Sequence, residues 1–128
     1  MVLGRCLCGA VAFEISGALP APNACHCSQC RKQSGHYWAS VDVPRSTLKI
    51  TRDEGLRWYQ SSEKVRRGFC GTCGSFLFWD PPAHDWAAVA MGALEAPTET
   101  QLAKHIFVAS KGDYYEISDG LPQDMTPP

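Results

Sequence analysis

Cys25, Cys27 and Cys30 form the run C-H-C-S-Q-C, three thiols with no fourth beside them. Three thiolates leave a tetrahedral ion one ligand short. A metal with three protein ligands and an open position is the arrangement of catalytic zinc, where water or substrate takes the vacancy. The other four cysteines come as two short pairs, Cys6 with Cys8 in C-x-C and Cys70 with Cys73 in C-G-T-C. Together the pairs close a four-thiolate zinc site of the structural kind. The 7 cysteines thus divide into one site that holds the fold and one that does chemistry.

Disulfides are the competing use of the thiols, but an odd number does not pair off. The opening Met-Val-Leu-Gly-Arg has no charged region followed by an apolar one, so no signal peptide is expected. No apolar run approaches the ~20 residues of a membrane span. The expected setting is cytoplasmic and reducing, where thiols serve as ligands or catalysts more often than as bridges. One or two cysteines could be plain buried apolar residues, yet three clusters this tight are poorly explained that way.

At 128 residues, residues 1–128 are expected to form a single domain with a genuine core. A net charge of −1 offers no electrostatic footprint for nucleic acid, which needs clustered excess Lys and Arg. Arg5, Arg31, Lys32, Arg66 and Arg67 all lie within a few positions of a cysteine cluster. Their plain role is to offset the negative charge of thiolates and to hydrogen-bond to sulfur. Their sharper role is to attract an anionic substrate.

The elements that must position these residues are short. Gly and Pro punctuate runs rich in β-branched and aromatic residues: Ala10 to Ile15, Tyr37 to Val43, Leu48 to Thr51, Ser75 to Trp79, Trp86 to Met91 and His105 to Ala109. Leu56 to Gln60 and Val65 to Phe69 read as a hairpin around Ser61 to Glu63. Short strands at regular spacing predict a mainly β domain of antiparallel strands. One helical turn is expected from Ser28 to about Gln33, with Ser28 as cap and Gly35 as stop. The last residues, Asp124 to Pro128, are expected to fray. A zinc shared by Cys8 and Cys70 would clip the first strand to a hairpin in the second half. Gly71 and Gly74 suit the tight left-handed turn of a zinc knuckle.

In order, the segments G-R-C-L-C-G-A-V, C-H-C-S-Q-C-R-K-Q-S-G, F-C-G-T-C-G-S and Y-Y-E-I-S-D-G-L-P resemble the glutathione-dependent formaldehyde-activating enzyme family, whose domain the centromere protein V group shares. The resemblance runs from Gly4 to Pro122. It implies a zinc-stabilised β-tent with two zinc ions per chain. Cys6, Cys8, Cys70 and Cys73 match the structural ligands, and Cys25, Cys27 and Cys30 the catalytic ones. The implied activity is a carbon–sulfur lyase that condenses formaldehyde with the glutathione thiol, a detoxification step. The implied partners are a small-molecule thiol and an aldehyde.

Such an addition needs a thiolate, a polarised carbonyl and a proton for the developing alkoxide. An open zinc position can lower the pKa of a bound thiol or take the aldehyde oxygen as a Lewis acid. Three anionic sulfurs weaken the Lewis acid, which favours the thiol. Arg31 and Lys32, directly after the last ligand, are the candidates for a substrate carboxylate. His26 and His36 flank the trio as candidates for proton transfer; His26 could equally point away, and His36 could pack, meet solvent or serve as a fourth ligand. His84, His105, Tyr114 and Tyr115 read as structural; Tyr37, Trp38, Trp58, Phe76, Phe78, Trp79 and Trp86 read as mostly core, with one or two expected to line the pocket over the open position. Two other functions stay open: a non-catalytic zinc-binding interaction module, and a thiol redox protein built on the trio.

Overall fold

Apolar residues at every second position make Val11, Phe13 and Ile15 one face of a strand. The computed structural model, which describes residues 1–125, forms this strand as β2 (Ala12–Ile15). It pairs antiparallel with β1 (Val2–Arg5) and with β5 (Leu48–Arg52) in a three-stranded sheet. A seven-stranded sheet runs in the order β10 (Lys104–Ile106), β3 (Asn23–Cys25), β4 (Trp38–Pro44), β9 (Trp86–Ala90), β8 (Phe76–Asp80), β7 (Arg66–Cys70) and β6 (Leu56–Gln60). All of its pairings are antiparallel except β10 on β3. The domain is mainly β, as the short punctuated runs predict. Among the described residues no helix is long and apolar enough to cross a membrane.

Among the described residues the one α-helix, α1 (Ser28–Ser34), departs from expectation at its start. Cys27, not Ser28, is its cap: Cys27 is extended, and its sulfur accepts the Cys30 N–H at 3.3 Å. Gly35 ends the helix in the left-handed region at φ 88°, a conformation that costs glycine little. Strands β1 and β3 go beyond the sequence reading, because neither segment alternates in the way Ala10 to Ile15 does. The expected strand from His105 to Ala109 stops at Ile106, since Phe107 turns left-handed at φ 54° into a 3-10 turn at Val108–Ser110. Asp124 does not fray: its N–H donates to His105 O at 2.9 Å, and Val108 N–H donates to Asp124 O at 3.1 Å. The rest of that expectation, residues 126–128, lies outside the described residues.

Val11, Phe13 and Ile15 pack with Val41, Val43, Leu77, Phe78 and Val89 of the large sheet into one buried cluster. Each such side chain contributes roughly 1.5–3 kcal/mol on full burial. Phe13 meets Phe78 edge-on, centroids 5.1 Å apart and planes at 64°. A Cβ at Gly4 would collide with the Phe13 ring, so glycine lets β1 lie across it. Asp80 is buried in the sheet with Arg45 Nη2 and Arg66 Nε each 2.7 Å from its carboxylate. A buried charge of this kind is tolerated because it is paired.

Candidate active site

Cys6, Cys8, Cys70 and Cys73 converge with their sulfurs within 4.8 Å of one another. The turn after β1 supplies one pair, and the end of β7 with the turn that follows supplies the other. The Cys6–Cys8 and Cys8–Cys70 sulfur separations are both 3.7 Å. A tetrahedron with zinc–sulfur bonds of ~2.3 Å has edges of about 3.8 Å. Backbone N–H groups already face the sulfurs: Val11 N–H donates to Cys6 Sγ at 3.3 Å and Cys73 N–H to Cys70 Sγ at 3.4 Å. Ser75 Oγ lies 3.2 Å from Cys73 Sγ, and that hydrogen bond holds the thiol down to about 5. Gly74, at φ 82°, makes the left-handed turn after Cys73, with its N–H on Cys70 O at 2.7 Å. The donor set fits zinc.

The trio assembles by a different route. β3 ends at Cys25, opposite Trp38 of β4, and the first turn of α1 brings Cys30 back onto Cys27. The three sulfurs lie within 4.8 Å of one another, and among the described residues no fourth His, Cys, Asp or Glu joins them. Hydrogen bonds from Cys25 and Cys30 pull the Cys27 thiol down, and the same contact with Cys27, followed by burial, pushes Cys25 up. Three sulfurs this close form a cluster that a cation would complete. This donor set, too, fits zinc with one position left to a ligand. Arg67 is buried beside it, with Nη1 3.6 Å from Cys30 Sγ and 3.4 Å from Gln33 Oε1.

The trio forms part of the wall of a cavity of about 390 Å³. Trp38, Trp79, Trp86 and Phe107 give it an aromatic lining, with Trp79 and Trp86 stacked at 5.5 Å. Its polar groups include Asn23, Asp42, Gln29, Ser61 and Arg67. Burial pushes the Asp42 carboxyl up, Lys104 offsetting part of the shift. Gln29, Ser61 and Arg67 also line a second cleft of about 500 Å³, which contains Lys32 and Tyr59. A larger cleft, about 690 Å³, contains Trp38 but none of the trio.

The two expected carboxylate contacts diverge. Arg31 Nε donates to Ser110 O at 3.0 Å, whereas Lys32 lines the second cleft, and neither lines the trio's cavity. His26 is buried and turned to His105, with 2.8 Å between Nε2 and Nδ1. His36 is hydrogen-bonded to Tyr114 and stands outside the sulfur group. Tyr114 is not core: it is 63% exposed. Tyr115 does more than pack, its hydroxyl meeting His26 Nδ1. Asn23, Asp42 and Phe107 were missed by the sequence reading. Only Asp42 left a signal, a lone carboxylate between the apolar Val41 and Val43.

The family model described as glutathione-dependent formaldehyde-activating enzyme matches residues 1–110. A Halomonas elongata protein named for the same family is 32% identical over 127 residues, covering 89% of this chain and 79% of the relative. A Schizosaccharomyces pombe protein named as an uncharacterized lyase is 28% identical over 76 residues, 59% of this chain and 55% of that one. Among solved structures, a Rhodobacter sphaeroides protein superposes with a TM-score of 0.64 at 26% identity, covering 79% of this chain and 99% of that one.

Proposed function

Because the chain belongs to the glutathione-dependent formaldehyde-activating enzyme family, we propose that it joins formaldehyde to the thiol of glutathione at Cys25, Cys27 and Cys30. The observation that carries this reading is the three-sulfur group, joined by no fourth His, Cys, Asp or Glu among the described residues and facing an aromatic-walled cavity. In the forward direction a carbon–sulfur bond forms, the carbonyl π pair becomes a hydroxyl, and the thiol proton ends on that oxygen. The reverse is the carbon–sulfur lyase reaction.

Cys6, Cys8, Cys70 and Cys73 would hold a structural zinc and the trio a second, so two ions per chain. When bound at the trio, zinc supplies Lewis acidity that stabilises a thiolate at neutral pH. Arg67 balances the sulfurs' negative charge from its place against Cys30. Trp79, Trp86 and Phe107 keep water from the reacting thiol. Among the described residues Asp42 is the one carboxyl in the cavity's lining, exposed to solvent on strand β4, and is the group assigned to exchange the travelling proton. Lys32 forms no ion pair among the described residues. It is the better of the two expected contacts for a glutathione carboxylate, Arg31 being engaged with Ser110. This reading takes 1–128 as one zinc-stabilised domain of the β-tent type, working in the cytoplasm on small molecules.

The test is to mix zinc-loaded protein with formaldehyde and glutathione and to follow hydroxymethyl-thiol formation by nuclear magnetic resonance. The expected result is a rate above the spontaneous one that Cys30→Ala abolishes. Lys32→Ala should raise KM for glutathione more than for a neutral thiol. No enhancement with any biological thiol would overturn the reading.

A further inference from the structure

His26 stands between Cys25 and Cys27, so whatever fixes its ring also fixes the spacing of two sulfurs of the trio. Its backbone N–H donates to Ile106 O at 3.0 Å. Its side chain, 1% exposed, is held at both ring nitrogens. Nε2 lies 2.8 Å from His105 Nδ1, and Nδ1 meets the Tyr115 hydroxyl. His105 Nε2 in turn lies 2.7 Å from Asp119 Oδ2.

The direction of this chain of hydrogen bonds follows from its far end. The hydrogen bond from His105, with another from Leu121 N–H, holds the Asp119 carboxyl below its usual range, so it is ionised and can only accept. His105 therefore carries its proton on Nε2, and a neutral imidazole has just one. His105 Nδ1 must then accept from His26 Nε2–H. His26 Nδ1 must accept from the Tyr115 hydroxyl. Every ring nitrogen then has a partner, and Asp119 sets both tautomers.

The same segment reaches the other flank of the trio. Arg31, next to Cys30, donates through Nε to Ser110 O at 3.0 Å. Lys111 Nζ donates to Tyr115 O at 2.6 Å and to Gly112 O at 3.1 Å, holding the turn that presents Tyr115. His105 N–H donates to Pro122 O at 2.9 Å, and Asp124 N–H donates back to His105 O. The family model's match ends at Ser110, so Tyr115 and Asp119 lie beyond the matched region.

We propose that residues 105–125 act as a clasp that holds the three-sulfur loop in its ligand geometry. Tyr115, His105 and Asp119 are its positioning residues on the His26 side, and the Arg31–Ser110 bond anchors the other. The inference rests on the trio's being a metal site and not on the reaction it carries out. Outer partners of this kind are typically worth 10–100-fold in metal affinity.

The experiment loads the full chain with cobalt(II), whose thiolate absorption reports each site. It measures stoichiometry and then release to a mild chelator for wild type, Tyr115→Phe and Asp119→Ala. The expected result is that both variants release the trio's ion roughly 10-fold faster or more, while the four-sulfur site's release stays near wild type in both and the thermal midpoint stays near wild type in Tyr115→Phe. Tyr115→Phe removes one hydroxyl and keeps the ring, so it should fold even where Asp119→Ala does not. Wild-type release from the trio in Tyr115→Phe would overturn the clasp, as would equal acceleration at both sites. Failure of wild type to bind an ion at the trio would instead overturn the metal-site reading beneath it.

Discussion

The Arg67 guanidinium, 4% exposed, faces Cys30 with Nη1 3.6 Å from the sulfur. β7 thereby brings a full positive charge to a cluster whose ligands come from β3 and α1. Hydrogen bonds to sulfur from such a partner favour the thiolate form that binds metal. Arg67→Met keeps an apolar stem and loses the charge, together with the guanidinium's place over the Phe76 ring, 5.5 Å from its centroid. The expected outcome is a trio that binds zinc about 10–100-fold more weakly, with the four-sulfur site unaffected. Competition against a chromophoric chelator measures both; equal affinity in Arg67→Met would refute it.

The two sulfur groups should part with metal in a fixed order. The four-sulfur site joins segments 62 positions apart, so its binding free energy is folding free energy, about 10 kcal/mol or more in small zinc domains. Mild chelation should remove one equivalent from the trio while the far-ultraviolet circular dichroism stays native. Cys73→Ser, by contrast, should leave insoluble or molten protein, whereas Cys30→Ser should remain folded. A well-folded, metal-free Cys73→Ser chain would contradict this.

Acid should undo the Asp119 contact in a definite window. Its carboxyl titrates below the usual 3.8 because His105 donates to it. The native state therefore binds fewer protons than the unfolded one in this range, and stability falls as pH falls. The contribution is fully present above about pH 4 and disappears as pH drops through the lower native value. The difference in thermal midpoint between wild type and Asp119→Ala should be constant from pH 7 to about 5 and close toward pH 2. A difference that persisted unchanged in acid would mean that Asp119 acts by packing and not by charge.

The division of the cysteines, the run of short strands and the helix that ends at Gly35 were all legible in the residues. Each depends on neighbours a few positions away: ligand spacing, alternation, and a glycine free to take φ 88°. Boundaries were less legible where one backbone angle decides them. Phe107 at φ 54° ends β10 at Ile106, one residue after His105. Cys27 takes the cap from Ser28 because its sulfur is already aimed into the trio's turn.

What surrounds the sulfurs was decided only by the tertiary structure. Tyr114 and Tyr115 are adjacent and identical in type, yet one is exposed and the other reaches His26, 89 positions away. The turn at Asp113 and Tyr114 leaves one ring outside and lets the other, 4.9 Å away, reach inward, and nothing in their order says which one the protein will cover. Arg31 and Lys32 divide likewise between a carbonyl of Ser110 and an open cleft. The cysteines announced their site because metal chemistry demands a fixed ligand count at short spacing. Asn23, Asp42 and Phe107 did not, because a cavity wall is set by which strands lie side by side, and that is a property of long-range packing.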